Sequence, residues 1–286
     1  MLLILSLFKI NPIEIALWTF RRNEKDVVNL YTSLSPVMQL ATGGSMLNFG
    51  YWSSSCTDPI SAQNNLCTVF GDLAELSSGK HVVDVGSGLS APSILWRDIF
   101  PNLNLNCVNI NFNQLHFSGP QKNINFINSS SVKLPFTNNS VDRVLALESA
   151  QHFKPLSDFI IESKRILTKN GLLVLAIPIT FGKTSFRSLG LLKFTWSSEH
   201  YSLDYLKHLL SLHGFSISNE QLIGSNVYDP LADYYVEYRS TLKKLILKSY
   251  PGYVENILFK SIQKMKKASE EKIIDYVLLK CTLKSE

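Results

Sequence analysis

The chain has 286 residues, of which 45% are hydrophobic and 18% charged. That balance excludes a disordered chain, and the length suits one α/β core with helical additions. The net charge of +5 is compatible with a nucleic-acid partner, but much of the excess sits in Lys243, Lys244, Lys248, Lys260, Lys264, Lys266 and Lys267, on sequence that reads as amphipathic helix. Such a basic face is either solvated or made for anionic lipid or an acidic substrate. The four cysteines, Cys56, Cys67, Cys107 and Cys281, show no Cys-x-x-Cys pair and no accompanying histidine spacing. A zinc site and a disulfide framework are therefore not expected.

In chain order, Met1 to Phe8 is apolar, but Lys9, Pro12 and Glu14 interrupt it, with no basic n-region before and no small-residue cleavage site after. The pattern predicts an amphipathic helix packed on the domain of a cytoplasmic protein, with peripheral membrane contact as the second reading. A polar, turn-rich stretch from Thr42 to Pro59 precedes a predicted helix over residues 60–76, stopped by Ser77, Ser78 and Gly79. His81 to Val85 is a short β-branched run, followed by glycines and a helical pattern through Ile94, Leu95 and Ile99. Further strands are predicted at 105–110, 123–128 and 141–147. A helix follows with Leu156, Phe159, Ile160, Ile166 and Leu167 on one face, Ser157 as N-cap, and Asn170 with Gly171 as the stop. Residues 172–177 are almost wholly apolar and read as a strand buried on both faces. Ser202 caps a helix closed by Gly214, a short strand spans 215–218, a helical stretch spans roughly residues 230–269, and a last strand spans 273–283.

This alternation predicts a doubly wound, Rossmann-like α/β fold: a mostly parallel seven-stranded sheet with an antiparallel last strand, N-terminal helices, and a helical insertion before that strand. The expected segments are an entry segment at 1–59, an α/β core at 60–228, a helical cap at 229–270 and the final strand at 271–286. The ligand is expected at the carboxyl ends of the strands, where the strand order reverses.

Val82, Val83, Asp84, Val85, Gly86, Ser87 and Gly88 place a tight glycine turn between a strand and a helix, where backbone can approach a ligand closely. Gly86 to Ala91 also fits the loose dinucleotide fingerprint G-x-G-x-x-A. An acid at position 84 suits a ligand that presents an ammonium group and carries no pyrophosphate.

The segment resembles the first motif, D-x-G-x-G-x-G, of the class I S-adenosylmethionine-dependent methyltransferases. The likeness continues in Leu134, Pro135, Phe136, Asp142, Arg143 and Val144, similar to that family's L-P-F…F-D-x-V run. It extends to Ser163 through Leu172, similar to its R-x-L-K-P-G-G turn. Gly43, Gly44, Asn48, Phe49, Gly50, Tyr51 and Trp52 are similar to the entry of a subgroup that methylates sugars, polyketides and isoprenoid-like or lipid acceptors.

The resemblance implies S-adenosyl-L-methionine as cofactor, with Asp84, Gly86, Ser87 and Gly88 around its amino-acid end. Asn109, beside Ile110, stands where the family has a ribose-binding acid, with Gln114 in support. Ser130, followed by Ser131 and Val132, stands where many relatives have an aspartate for the adenine amino group. Ser90 replaces a third glycine. Glu148 and His152 are similar to an E-S…H run beside the transferring methyl, which makes His152 the candidate base and Glu148 a positioning residue. Tyr51 and Trp52 are placed to close over the sulfonium.

The apolar residues between Thr180 and Tyr201, and the tyrosines Tyr228, Tyr234, Tyr235, Tyr238, Tyr250 and Tyr253, read as a greasy acceptor pocket or as the core of a helical cap. The expected activity is methyl transfer to O, N or C of a small, apolar acceptor: a lipid, isoprenoid, polyketide or sugar-like molecule. No Asn-Pro-Pro-Tyr-like tetrad follows the fourth strand, which argues against nucleic acid as substrate. The alternatives are a non-catalytic binding or scaffold module of the same fold, and a nicotinamide-dependent oxidoreductase.

Overall fold

The computed structural model describes residues 23–117, 119–181 and 199–284. The expectations for the first twenty residues, and for the apolar segment after Phe181, lie outside them. Among the described residues no helix is long and apolar enough to cross a membrane.

A long helix, α1 (Glu24–Thr42), opens the described chain, started by a capping box between Asn23 and Asp26 and ended at Gly43 in the left-handed region. Helix α2 (Pro59–Leu73) starts at the N-cap Asp58, one residue earlier than the pattern predicts. It also stops earlier: Ser77 and Ser78 lie in a separate short 3-10 turn, which Gly79 closes by donating its N–H to Leu76 O, at an ordinary φ of −75°.

The core then alternates: β1 (His81–Val85), α3 (Ala91–Ile99), β2 (Asn104–Asn109), the short α4 (Phe112–Leu115), β3 (Ile124–Asn128), β4 (Val141–Leu147), α5 (Leu156–Ile166) and β5 (Leu167–Thr180). Next come α6 (Leu203–Leu212), β6 (Phe215–Leu222), α7 (Gly224–Glu237), α8 (Arg239–Leu247), α9 (Gly252–Glu270) and β7 (Ile274–Leu283). The seven strands form one sheet in the order β3-β2-β1-β4-β5-β7-β6, parallel except for β7, which runs against both of its neighbours. The order reverses between β1 and β4.

Period-two alternation in the strands feeds two cores. On β5, Leu172, Val174 and Ala176 face a layer containing Phe70 of α2, Trp96 of α3 and Tyr228 of α7. Leu173, Leu175, Ile177 and Ile179 face the opposite layer, with Phe159 and Ile160 of α5 and Leu206 and Leu210 of α6. Both faces of the sheet are thus covered, which is why this strand reads as a continuous apolar run.

Three local expectations need correction. Helix α5 starts at Leu156 after Pro155, so Ser157 lies inside it and caps nothing. Asn170 and Gly171 do not stop that helix; the chain leaves it at Ile166 and enters β5 directly, Leu167 pairing with Val141 ahead of a bulge. The strand at 215 continues to Leu222, because pairing with β7 extends its polar half. Ser202 does cap α6, accepting from Tyr205 N at 3.2 Å.

The helical insertion begins at Gly224. With α1 it makes a satellite unit whose core is Val37, Ile246, Tyr250 and Val254, with Ala232, Tyr235, Leu242 and Ile262 beside it. Tyr228 and Tyr235 are buried, and Tyr234 packs on Trp52 and stacks on Tyr238. Here the packing role of these tyrosines is the one seen.

Candidate active site

A cleft with about 990 Å³ of open space, counting its solvent-open mouth, lies at the carboxyl ends of β1, β2 and β4, where the strand order reverses. Its floor is Val85, Gly86, Ser87 and Gly88 after β1; Val108, Asn109, Ile110 and Asn111 after β2; Ser129 and Ser131 after β3; and Glu148, Ser149 and His152 after β4. Helix α1 roofs it with Glu24, Val27, Val28 and Tyr31.

The glycine turn is dictated by its surroundings. Gly86 has φ +74°, and a Cβ there would lie 2.5 Å from the Cβ of Ser149, whose hydroxyl donates to Val85 O at 2.6 Å. Gly88, at φ +56°, is open: a Cβ would meet only Leu47 at 3.6 Å. Ser90 has φ +60° and zero exposure, so it occupies a left-handed position that glycine adopts without strain.

Of the sequence-predicted residues, Gly86, Ser87, Gly88, Asn109, Ile110, Gln114, Ser131, Glu148 and His152 line this one cleft. Asp84, Tyr51, Trp52, Ser130 and Val132 do not. Asp84 is buried beneath the loop, accepts from Ser93 Oγ at 2.7 Å, and is pushed up to about 6 by burial, against that hydrogen bond. Tyr51 and Trp52 turn toward α2 and α7, with Tyr51 N donating to Ala62 O and Trp52 N to Asn226 O. The entry segment lines the cleft with Ser45, Leu47 and Asn48 instead, and the next residue, Phe49, donates its N–H to Glu148 Oε1 at 2.8 Å.

Asn109 is committed internally. Its Nδ2 donates to Gly88 O at 3.0 Å and to Gln114 Oε1 at 2.9 Å, while its Oδ1 accepts from Asn111 N at 3.2 Å. Gln114 Nε2 then donates to Ser35 Oγ at 3.1 Å. A chain of neutral hydrogen bonds thus joins the glycine loop to the roof helix.

Glu148 holds a non-glycine φ of +51°, the kind of backbone strain that gathers at functional sites. Its Oε1 also accepts from Tyr276 Oη at 3.0 Å. Burial pushes the carboxyl up to about 8, although both hydrogen bonds favour the charged form. Next to it, Tyr31 Oη and His152 Nε2 are 2.8 Å apart, their rings edge to face. Burial and the charge of Glu148 raise the Tyr31 phenol, so it stays protonated through neutral pH. Tyr31 was not singled out by sequence reasoning, since a lone tyrosine on an amphipathic helix carries no local signal.

The residues that carry the family likeness farther along mostly hold the frame. Asp142 Oδ2 accepts from Lys80 N and His81 N at the start of β1, and the Arg165 guanidinium donates to Leu134 O and Phe136 O.

Residues 83–175 match the family model of the methyltransferase domain. The erythromycin 3''-O-methyltransferase of Saccharopolyspora erythraea is 25% identical over 269 residues, covering 86% of this chain and 85% of its own. Among solved structures, the cyclopropane synthase MmaA2 from Mycobacterium tuberculosis superposes with TM-score 0.75 at 15% identity, covering 91% of this chain and 98% of its own. The [4+2]-cyclase SpnF does so with TM-score 0.74 at 16% identity, covering 92% and 98%. Residues 83–175 thus carry a methyltransferase domain, and the comparisons support an enzyme that depends on S-adenosylmethionine. The donor set fits that cofactor: the charged side chains on the walls are Glu24, Glu148 and Lys154, joined by amides and hydroxyls. Two carboxylates against one lysine suit a sulfonium with a ribose better than a pyrophosphate. Among the described residues no cluster of side chains could hold a metal ion.

Proposed function

We propose that the chain methylates a hydroxyl oxygen of a small, largely apolar acceptor, with His152 as the proton acceptor. The observation that carries this reading is the Tyr31–His152 pair, whose 2.8 Å contact lies on the cleft wall beside Glu148. The erythromycin 3''-O-methyltransferase relative, similar over most of its length, supports an oxygen acceptor.

Bound S-adenosylmethionine supplies an electrophilic methyl carbon on a sulfonium. The chain's own residues do the rest. An imidazole side chain exchanges protons in the neutral pH range, which suits the role given to His152. Tyr31, kept as a neutral phenol, holds the imidazole by Nε2 and can pass its own proton to that nitrogen while taking the acceptor's. Helix α1 roofs one side of the cleft and limits the access of water to the methyl group. Glu148, anchored by Phe49 and Tyr276 and lining the cleft, orients what binds there.

The test is methyl transfer to a panel of hydroxylated polyketides, glycosides and isoprenoid alcohols, followed by product mass. The His152→Ala change should lower kcat by roughly 10²- to 10⁴-fold. Tyr31→Phe should lower it by about tenfold, and both variants should bind S-adenosylhomocysteine within about twofold of the parent protein. Undiminished turnover in His152→Ala removes the proposed base.

A further inference from the structure

We propose that Glu24, the first residue of α1, supplies the acceptor that recognises the exocyclic amino group of the cofactor's adenine. This rests on the reading of the cleft as an S-adenosylmethionine site.

The reacting methyl must face His152 and Glu148, which follow β4. In the sheet order β3-β2-β1-β4 the carboxyl end of β3 is three strand spacings away, about 14 Å. That span matches an extended nucleoside, so the base lies toward β3. The apolar side chains of Val28 and Ile110 line the cleft and suit the faces of a purine. What the β3 loop lacks is a strong acceptor: Ser129, Ser130 and Ser131 are all hydroxyls. Ser130 instead donates its hydroxyl to Glu24 Oε1, across 106 residues of chain, and Glu24 is itself a lining residue. Among the described residues no cation pairs with this carboxylate, which leaves Oε2 for a donor on the ligand. The helix start does not require Glu24, because Asn23 and Asp26 already form a complete capping box. The roof helix thus brings from outside the core the carboxylate that the β3 loop does not carry.

The experiment is calorimetric titration with S-adenosylhomocysteine and with its purine analogue lacking the amino group, using the parent protein and Glu24→Ala. The parent should prefer the amino-bearing ligand by about five- to tenfold. In Glu24→Ala the preference should fall to near one, with a melting temperature within about 2 °C of the parent. Ser130→Ala should lower the preference partway, since it removes only the group that steadies the carboxylate. A Glu24→Ala protein that keeps the parent's preference overturns the inference while leaving the cofactor reading intact. A parent protein that binds neither ligand overturns both.

Discussion

Gly86 and Gly88 differ in what confines them, and that difference makes separate predictions. Gly86→Ala would drive a Cβ into Ser149 from a positive φ. It should destabilise the protein by about 2 kcal/mol or more, seen as a lowered melting temperature, before any ligand is involved. The obstacle is the loop after β4, not the ligand that a bulkier residue would be expected to block. Gly88→Ala meets open space and costs only the left-handed strain, about 1 kcal/mol. Its loss should appear in cofactor affinity more than in stability. Asn109 is similar in kind. In sequence it looks like a weakened ribose-binding acid, whereas in the structure its amide gives both protons to Gly88 O and Gln114 Oε1. Asn109→Asp should not raise cofactor affinity; it should set a carboxylate against two acceptor oxygens and destabilise the fold by about 2–3 kcal/mol, measurable by denaturant titration. The positions of Gly86, Gly88 and Ser90 are legible in sequence because a tight turn constrains residue type locally. The commitments of Asp84 to Ser93 and of Asn109 to Gly88 are not, because they depend on which way a side chain points after folding.

Helix α1 and the loop after β4 act on the cleft together. Glu148 ties the entry segment, through Phe49, to β7, through Tyr276. Its carboxyl moves from an ordinary value of 4.5 to about 8 in the fold. The native state therefore keeps a proton that the unfolded chain has lost between those values. The stabilising contribution is complete below pH 4.5 and declines as pH rises to about 8. A cationic ligand beside this carboxyl favours its charged form. Binding of S-adenosylmethionine near pH 7 should thus release up to about one proton more than binding of the uncharged thioether S-adenosylhomocysteine. Calorimetry in two buffers of different ionisation enthalpy measures this, and equal release by the two ligands contradicts it. Element by element, the apolar runs of β1, β4 and β5 were readable because both sheet faces are covered. The polar outer half of β6 and the early end of α2 were not, since pairing with β7 and a 3-10 turn decide them. The tie from α1 to His152 spans 121 residues, and no local periodicity reports a contact of that kind.

Across the whole molecule, the doubly wound sheet and the switch-point cleft follow from the βα alternation that the sequence displays, whereas the full strand order comes from the fold. The same architecture also serves the [4+2]-cyclase SpnF. Fold alone therefore leaves the chemistry open, and the cleft must supply it. In this chain the cleft is roofed by α1, while Tyr235 and Tyr250 are buried in the satellite core. The acidic, amide-rich walls argue for a sulfonium nucleoside over a diphosphate. The most direct test is isothermal calorimetry of the full chain with S-adenosylmethionine, S-adenosylhomocysteine and NADH. Saturable heat with the first two and none with NADH is the predicted outcome; heat with NADH, or silence from both sulfur nucleosides, would contradict it.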